Sequence, residues 1–248
     1  MWNLSKVYVV GMGPGSYEQM TIKAVKTLEE CEVIIGYTVY TELLKPHFPE
    51  KEYLTTPMRQ EVKRCEMAFE EAVKGKTVAM VCSGDAGIYG MAGLIYEVGE
   101  QYPQVEIEVV SGVTAAMGGA AVLGAPLGHD CCLISLSDLL TPWKTIEKRL
   151  LHAAEADFVI CLYNPSSRKR SDYLRRACEL MLTYKAEDTV CGVVKNIARD
   201  GETMELYTLG ELKNVAVDMF STVFIGNSST IILRDQMVTP RGYRYERT

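Results

Sequence analysis

The chain has 248 residues, 48% of them hydrophobic and 23% charged, which excludes a disordered, collagen-like or coiled-coil protein and is long enough for one large domain or two small ones. Its 26 Lys and Arg against 32 Asp and Glu leave a net charge of −6; this argues against a nucleic-acid partner bound by bulk charge, so any anionic ligand has to be captured by local cations. No charged segment precedes a long apolar core at the start, and no apolar run approaches the ~20 residues of a spanning helix, so the sequence predicts a cytoplasmic protein with no membrane partner.

In chain order, Val7 to Gly11 is a short β-branched run ending in glycine, and Ile22, Val25 and Leu28 space a helix over Thr21 to Glu30. Strand signals recur at Val33 to Gly36, Thr77 to Cys82 and Val105 to Val110, separated by helical stretches near Arg59 to Lys74 and Gly90 to Gln101. This alternation predicts parallel crossovers. A small-residue helix over Thr114 to Leu123 leads into a punctuated stretch, Gly124 to Gly128, that marks a boundary between domains over 1–125 and 126–248. Beyond it, strands are expected at Cys131 to Ser135, Asp157 to Leu162, Thr189 to Val194 and Thr222 to Ile225, with helices around Trp143 to Glu155 and Ser171 to Leu182. Thr203 to Thr208 alternates and reads as an antiparallel or edge strand. Two α/β domains are therefore expected, with mostly parallel or mixed sheets and a cleft between them where small-molecule sites tend to sit.

Eight cysteines, at 31, 65, 82, 131, 132, 161, 178 and 191, lie mostly in apolar segments without a C-x-x-C pair, the pattern of free buried thiols. His47, His129 and His152 have none of the spacings that a protein-held zinc needs, so no metal site is expected.

Gly11-Met-Gly-Pro-Gly15 follows the first strand and invites a dinucleotide reading, which fails twice. The third fingerprint glycine is replaced by Ser16, and the second strand ends at Gly36-Tyr37 where an acidic residue should meet a ribose. Pro14 also removes an amide that a phosphate would want. Either a close backbone approach to another ligand or a purely structural turn remains. The glycine-rich block from Ser83 to Gly90 sits at the carboxyl end of a strand, where open α/β sheets bind ligands, although Asp85 is also a candidate helix cap. Ser111 to Ala116 repeats that geometry, with Thr114 again a candidate cap. Leu162-Tyr-Asn-Pro165 does so in the second half, followed by Arg168, Lys169 and Arg170, either an anion-capturing run or a solvated face.

Together V-G-M-G-P-G, the block S-G-D-A-G-I-Y-G-M-A-G from Ser83 to Gly93, and S-G-V-T-A-A resemble the tetrapyrrole methylases, the class III S-adenosylmethionine methyltransferases, over essentially the whole chain. Within that family, I-S-L-S-D-L-L-T-P-W and L-Y-N-P-S-S-R-K-R resemble the precorrin-3B C-17 and cobalt-factor III methyltransferase branch of cobalamin synthesis. The resemblance implies two αβα domains, a folded S-adenosyl-L-methionine in the cleft, S-adenosyl-L-homocysteine as product, and a homodimer. It implies cofactor contacts at Gly84, Asp85, Ile88, Thr114, Ala115, Leu162, Tyr163, Lys195, Asn196 and Thr222, and a first loop (Gly13, Pro14) facing the tetrapyrrole. The implied reaction is methylation of C-17 with ring contraction, on precorrin-3B or cobalt-factor III, with no iron–sulfur cluster. On the ring side the candidates are Ser135, Ser137, Asp138 and Thr141, with Asp138 assigned to proton transfer or else to capping the turn before Pro142; Arg168, Lys169, Arg170 and Arg199 would attract the ring's carboxylates. The alternatives are precorrin-4 C-11 or precorrin-2 C-20 methyltransferase, diphthine synthase, or a non-catalytic tetrapyrrole carrier that would not bind the cofactor tightly.

Overall fold

A computed structural model describes residues 5–167 and 171–243 and divides the chain into two units between Ala115 and Ala116. In the first unit the elements run β1 (Lys6–Gly11), α1 (Ile22–Glu30), β2 (Val33–Tyr37), α2 (Thr38–Leu44), β3 (Glu52–Thr56), α3 (Glu61–Val73), β4 (Val78–Cys82), α4 (Ala92–Gly99) and β5 (Glu106–Val110). The five strands form one sheet in the order β3-β2-β4-β1-β5, every neighbouring pair parallel. Such a sheet needs cover on both faces, which is why β4 reads as an unbroken apolar run and is buried throughout.

Alternation along the strands decides which helices cover which face. Val7, Val9, Val78 and Met80 pack with Cys65, Phe69 and Ile95 from α3 and α4, whereas Val10, Ala79 and Val81 pack with Ala24, Leu28 and Leu44 from α1 and α2. The chain therefore leaves β1 toward one face and its neighbour β4 toward the other, and that reversal opens a crevice at their carboxyl ends. Thr21 starts α1 by accepting the Ala24 amide at 3.1 Å. The sequence reading omitted α2, a seven-residue helix whose start has no side-chain cap, and β3, a half-exposed edge strand.

The second unit holds all but the first residue of α5 (Ala115–Leu123), then β6 (Gly124–Ala125), β7 (Cys131–Ser135), α6 (Trp143–Glu155), β8 (Val159–Tyr163), α7 (Tyr173–Met181), β9 (Val190–Lys195), β10 (Thr203–Thr208), α8 (Leu209–Leu212), β11 (Ser221–Ile225), β12 (Ile231–Leu233) and β13 (Gln236–Val238). Its main sheet is mixed, in the order β10-β9-β11-β8-β7; only β7 and β8 are parallel, and β10 is the antiparallel edge strand that its alternation suggested. Side chains of α6, α7 and α8 bury Ile146, Leu150, Leu174, Cys178 and Leu212 against it.

The division falls after the first residue of α5, between Ala115 and Ala116, rather than at 125/126, for a packing reason. A Cβ on Gly119 would lie 2.9 Å from the Phe224 ring, and one on Gly192 2.5 Å from Leu123, so α5 is set against the second sheet. The punctuated stretch is no linker either, because Gly124 and Ala125 pair with Met237 and Val238 in a small sheet, β12-β13-β6. The eight cysteines are free; six are buried, and Cys131 and Cys132 are half-buried. Among the described residues no helix is long and apolar enough to cross a membrane.

Candidate active site

Neighbouring strands β4, β1 and β5 end at Cys82, Gly11 and Val110, and the loops that follow converge. Gly84 N donates to Gly13 O at 2.7 Å and Gly13 N to Gly84 O at 3.1 Å, closing an antiparallel bridge between two parallel strands' loops. Both glycines hold positive φ, +71° and +77°. A Cβ on Gly112 would stand 2.2 Å from the Gly84 oxygen and 2.5 Å from the Gly11 oxygen, so only bare backbone fits where the loops meet.

Asp85 ties these loops together. Its Oδ1 accepts the Gly87 and Ile88 amides at 2.8 and 3.1 Å, and its Oδ2 accepts the Gly112 amide at 2.9 Å. It is not a helix cap, since α4 begins at Ala92 with Met91 before it; its carboxylate shapes the loop. Buried Thr114 and half-buried Ala115 lie within 3.6 Å of where a Gly84 Cβ would be. The structure thus gathers Gly13, Pro14, Gly84, Asp85, Thr114 and Ala115 at one sheet edge, with Ile88 38% exposed beyond them. Burial pushes the Cys82 thiol up to about 11, which removes it as a nucleophile at neutral pH.

In the second unit, β7, β8 and β9 end at Ser135, Tyr163 and Lys195 beside the start of β11, with Ser135 opposite Tyr163 and Lys195 opposite Ser221. Ser135 Oγ accepts from Asn164 Nδ2 at 2.9 Å and from the Ser137 amide at 3.2 Å. The Tyr163 hydroxyl oxygen accepts the Ala116 amide at 2.8 Å, satisfying a donor in the first turn of α5. Leu162 is wholly buried in the core and Thr222 is buried in β11, so each can offer a ligand only its main chain. Lys195 Nζ lies 2.6 Å from Asp218 Oδ2; burial raises the Asp218 pKa, but Lys195 and the Phe220 amide more than offset it and hold the carboxyl below its ordinary range. Asn196, at φ +52°, turns the chain after β9 and donates to Gly201 O, and the Arg199 amide donates back to Asn196 O at 2.9 Å.

Asp138 and Thr141 are half-buried in the connection before α6. Asp138 Oδ2 accepts the Tyr173 hydroxyl at 2.6 Å. Arg168, Lys169 and Arg170 lie outside the described residues. Sequence reasoning missed Gly112, Asn164 and Tyr173 as site-building residues. The first two stood inside motifs already singled out, but Tyr173 is 35 residues from Asp138 and carried no signal.

The loops Met12 to Ser16, Ser83 to Gly90 and Ser111 to Ala115 contain no Lys or Arg. Bare-backbone loops that converge at strand carboxyl ends are where open α/β sheets bind small ligands. Residues 6–213 match the model of the Tetrapyrrole (Corrin/Porphyrin) Methylases, and the chain belongs to that family. A probable cobalt-factor III C(17)-methyltransferase of Salmonella typhimurium is 49% identical over 236 residues, covering 95% of this chain and 98% of that protein. A precorrin-3B C(17)-methyltransferase of Sinorhizobium is 38% identical over 246 residues, 96% of each. The crystal structure of the methyltransferase CobJ matches with a TM-score of 0.89 at 33% identity, over 95% of this chain and all of that one.

Proposed function

We propose that this protein transfers a methyl group from S-adenosyl-L-methionine to C-17 of cobalt-factor III, with contraction of the ring, in cobalamin biosynthesis. One observation carries the choice of substrate: the near-full-length relative at 49% identity is named for cobalt-factor III, and the one named for precorrin-3B stands at 38%.

The donor chemistry of the loops fits the cofactor. A sulfonium zwitterion has no phosphate to capture, and the loops after β1, β4 and β5 offer main-chain groups, hydroxyls such as those of Ser83 and Thr114, the Asp85 carboxylate and no cation. In this reading Gly84, Asp85, Ile88, Thr114 and Ala115 hold it from the first unit, and Tyr163, Lys195, Asn196 and Thr222 belong to the second unit's contribution. When bound, the cofactor supplies an electrophilic methyl for in-line displacement. The chain's work is to fix orientation and exclude water, since a well-aligned pair of reactants removes ~7–11 kcal/mol of barrier. Ser135, held by Asn164 and Ser137, and Asp138, held by Tyr173, stand as the ring-side polar groups, with Asp138 moving the proton that ring contraction requires. Arg168, Lys169 and Arg170 draw in the substrate's carboxylates. The protein acts as a homodimer, and the exposed apolar strand β12, with Ile231, Ile232 and Leu233, is the surface that pairing would cover.

Anaerobic incubation with the cofactor and either cobalt-factor III or precorrin-3B tests this. The expected result is a product heavier by one methyl group, with a changed optical spectrum, from cobalt-factor III in preference. No mass gain from either overturns the reading.

A further inference from the structure

We infer that Arg64 is a buried anchor for a ligand carboxylate at the carboxyl edge of the first sheet. Arg64 lies in the first turns of α3 and is 4% exposed. Helical side chains lean toward the helix N-terminus, and this one reaches the end of β3, where Nε donates to Thr56 Oγ1 at 2.9 Å and Nη2 to Pro57 O at 3.1 Å. Those two bonds use two of the five N–H donors of the guanidinium. Among the described residues no carboxylate lies within ion-pair distance of it. Arginines so deeply buried are almost always paired, because an uncompensated buried charge is costly.

Its surroundings orient the guanidinium. The two neutral acceptors hold the guanidinium at the strand-end edge that also carries the Ser83 to Gly90 loop, and its field counters the burial-driven rise of both Cys65 and Cys82, the last residue of β4. The cofactor loops themselves carry no cation, and of the cations near this edge Arg64 is a buried one, whereas Arg59 in the loop after β3 is exposed. A planar fork of donors suits a carboxylate. Two ligands of the proposed reaction carry one: the amino-acid end of the methyl donor, and the periphery of the tetrapyrrole. To that extent the inference rests on the proposed function.

Calorimetric titration of the wild type and Arg64→Met with S-adenosyl-L-homocysteine, with 5′-methylthioadenosine, which lacks the amino-acid end, and with cobalt-factor III separates the sources. If the cofactor's carboxylate is the one held, Arg64→Met weakens S-adenosyl-L-homocysteine by roughly ten- to a hundredfold and leaves 5′-methylthioadenosine unchanged. If the ring's is held, only cobalt-factor III weakens by that factor. A readout independent of either ligand is the melting temperature in acetate against chloride at equal ionic strength, where acetate should raise it in the wild type and not in the variant. That result sustains the anchor even if methyl transfer is never observed. Should Arg64→Met fail to fold, Arg64→Lys, which keeps the charge without the fork, is expected to lose affinity in the same direction. Folded variants that match wild-type affinity for all three ligands and the same acetate response overturn the inference and leave Arg64 a brace for the turn after β3.

Discussion

The Tyr173 hydroxyl, on the first residue of α7, donates to Asp138 Oδ2 across 2.6 Å. The same tyrosine ring lies 4.4 Å from Trp143, the first residue of α6, and the Arg176 guanidinium sits 4.1 Å from the Trp143 ring. The segment from Asp138 to Trp143 is thus pinned to the starts of two helices. A hydrogen bond to a carboxylate favours its charged form, so Tyr173→Phe should move the acid limb of the kcat profile to higher pH and lower kcat, with cofactor affinity unchanged. A pH profile identical to wild type would show that Asp138 does not transfer the proton.

At the convergence of the first unit's loops, Gly112→Ala forces a Cβ to within 2.2 Å of the Gly84 oxygen. Overpacking against backbone costs about 1–3 kcal/mol or more, and thermal unfolding together with loss of S-adenosyl-L-homocysteine binding should report it. Gly93→Ala is the control: nothing lies within 4 Å of its added Cβ, it is exposed in α4, and a gain of about 0.5–1 kcal/mol is expected.

Ala115 stands where a larger side chain would occupy the slot beside Gly84. Ala115→Leu should abolish cofactor binding in calorimetry while circular dichroism stays that of the wild type. A folded variant with undiminished affinity would remove this loop from the site.

Stability against pH turns on Asp157. Burial raises its pKa, but hydrogen bonds from Ser228 and Lys185 more than offset this and hold the carboxyl below its ordinary range. A depressed carboxyl contributes stability that is present above about pH 4 and is lost as pH falls through the folded value. Asp157 sits at φ +56°, a conformation asparagine also tolerates, so Asp157→Asn isolates the charge. The variant should be less stable at pH 7, where it leaves the buried Lys185 without its carboxylate, and should lose less stability on acidification than the wild type.

Light scattering at micromolar concentration should give a dimer mass. Ile232→Lys, at a residue 51% exposed on β12, should shift it to the monomer.

The central strands β1, β2 and β4 were legible because parallel strands covered on both faces are largely apolar, whereas the half-exposed edge strand β3 and the short, uncapped α2 gave no such pattern. The glycine-rich loops were legible as tight turns at strand ends because only glycine meets their conformational demands. Two kinds of feature escaped. Asp85 reads in sequence as a helix cap, and its tie to Gly112 depends on β1 lying between β4 and β5, a property of strand order. The place of α5 depends on Gly119 and Gly192 admitting Phe224 and Leu123, contacts between residues far apart in the chain.

The junction of Gly11, Gly84 and Gly112 has a consequence for how such a protein changes over time. Its contacts are main chain to main chain, so no exchange of side chains can retune them: a Cβ at Gly11 or Gly112 collides with backbone, and one at Gly84 is strained by its positive φ. Change is open instead in segments such as Ser135 to Thr141, where hydroxyls and carboxylates can be swapped without disturbing a backbone joint. One part of the fold is fixed in the polypeptide itself, and the other is left open to drift.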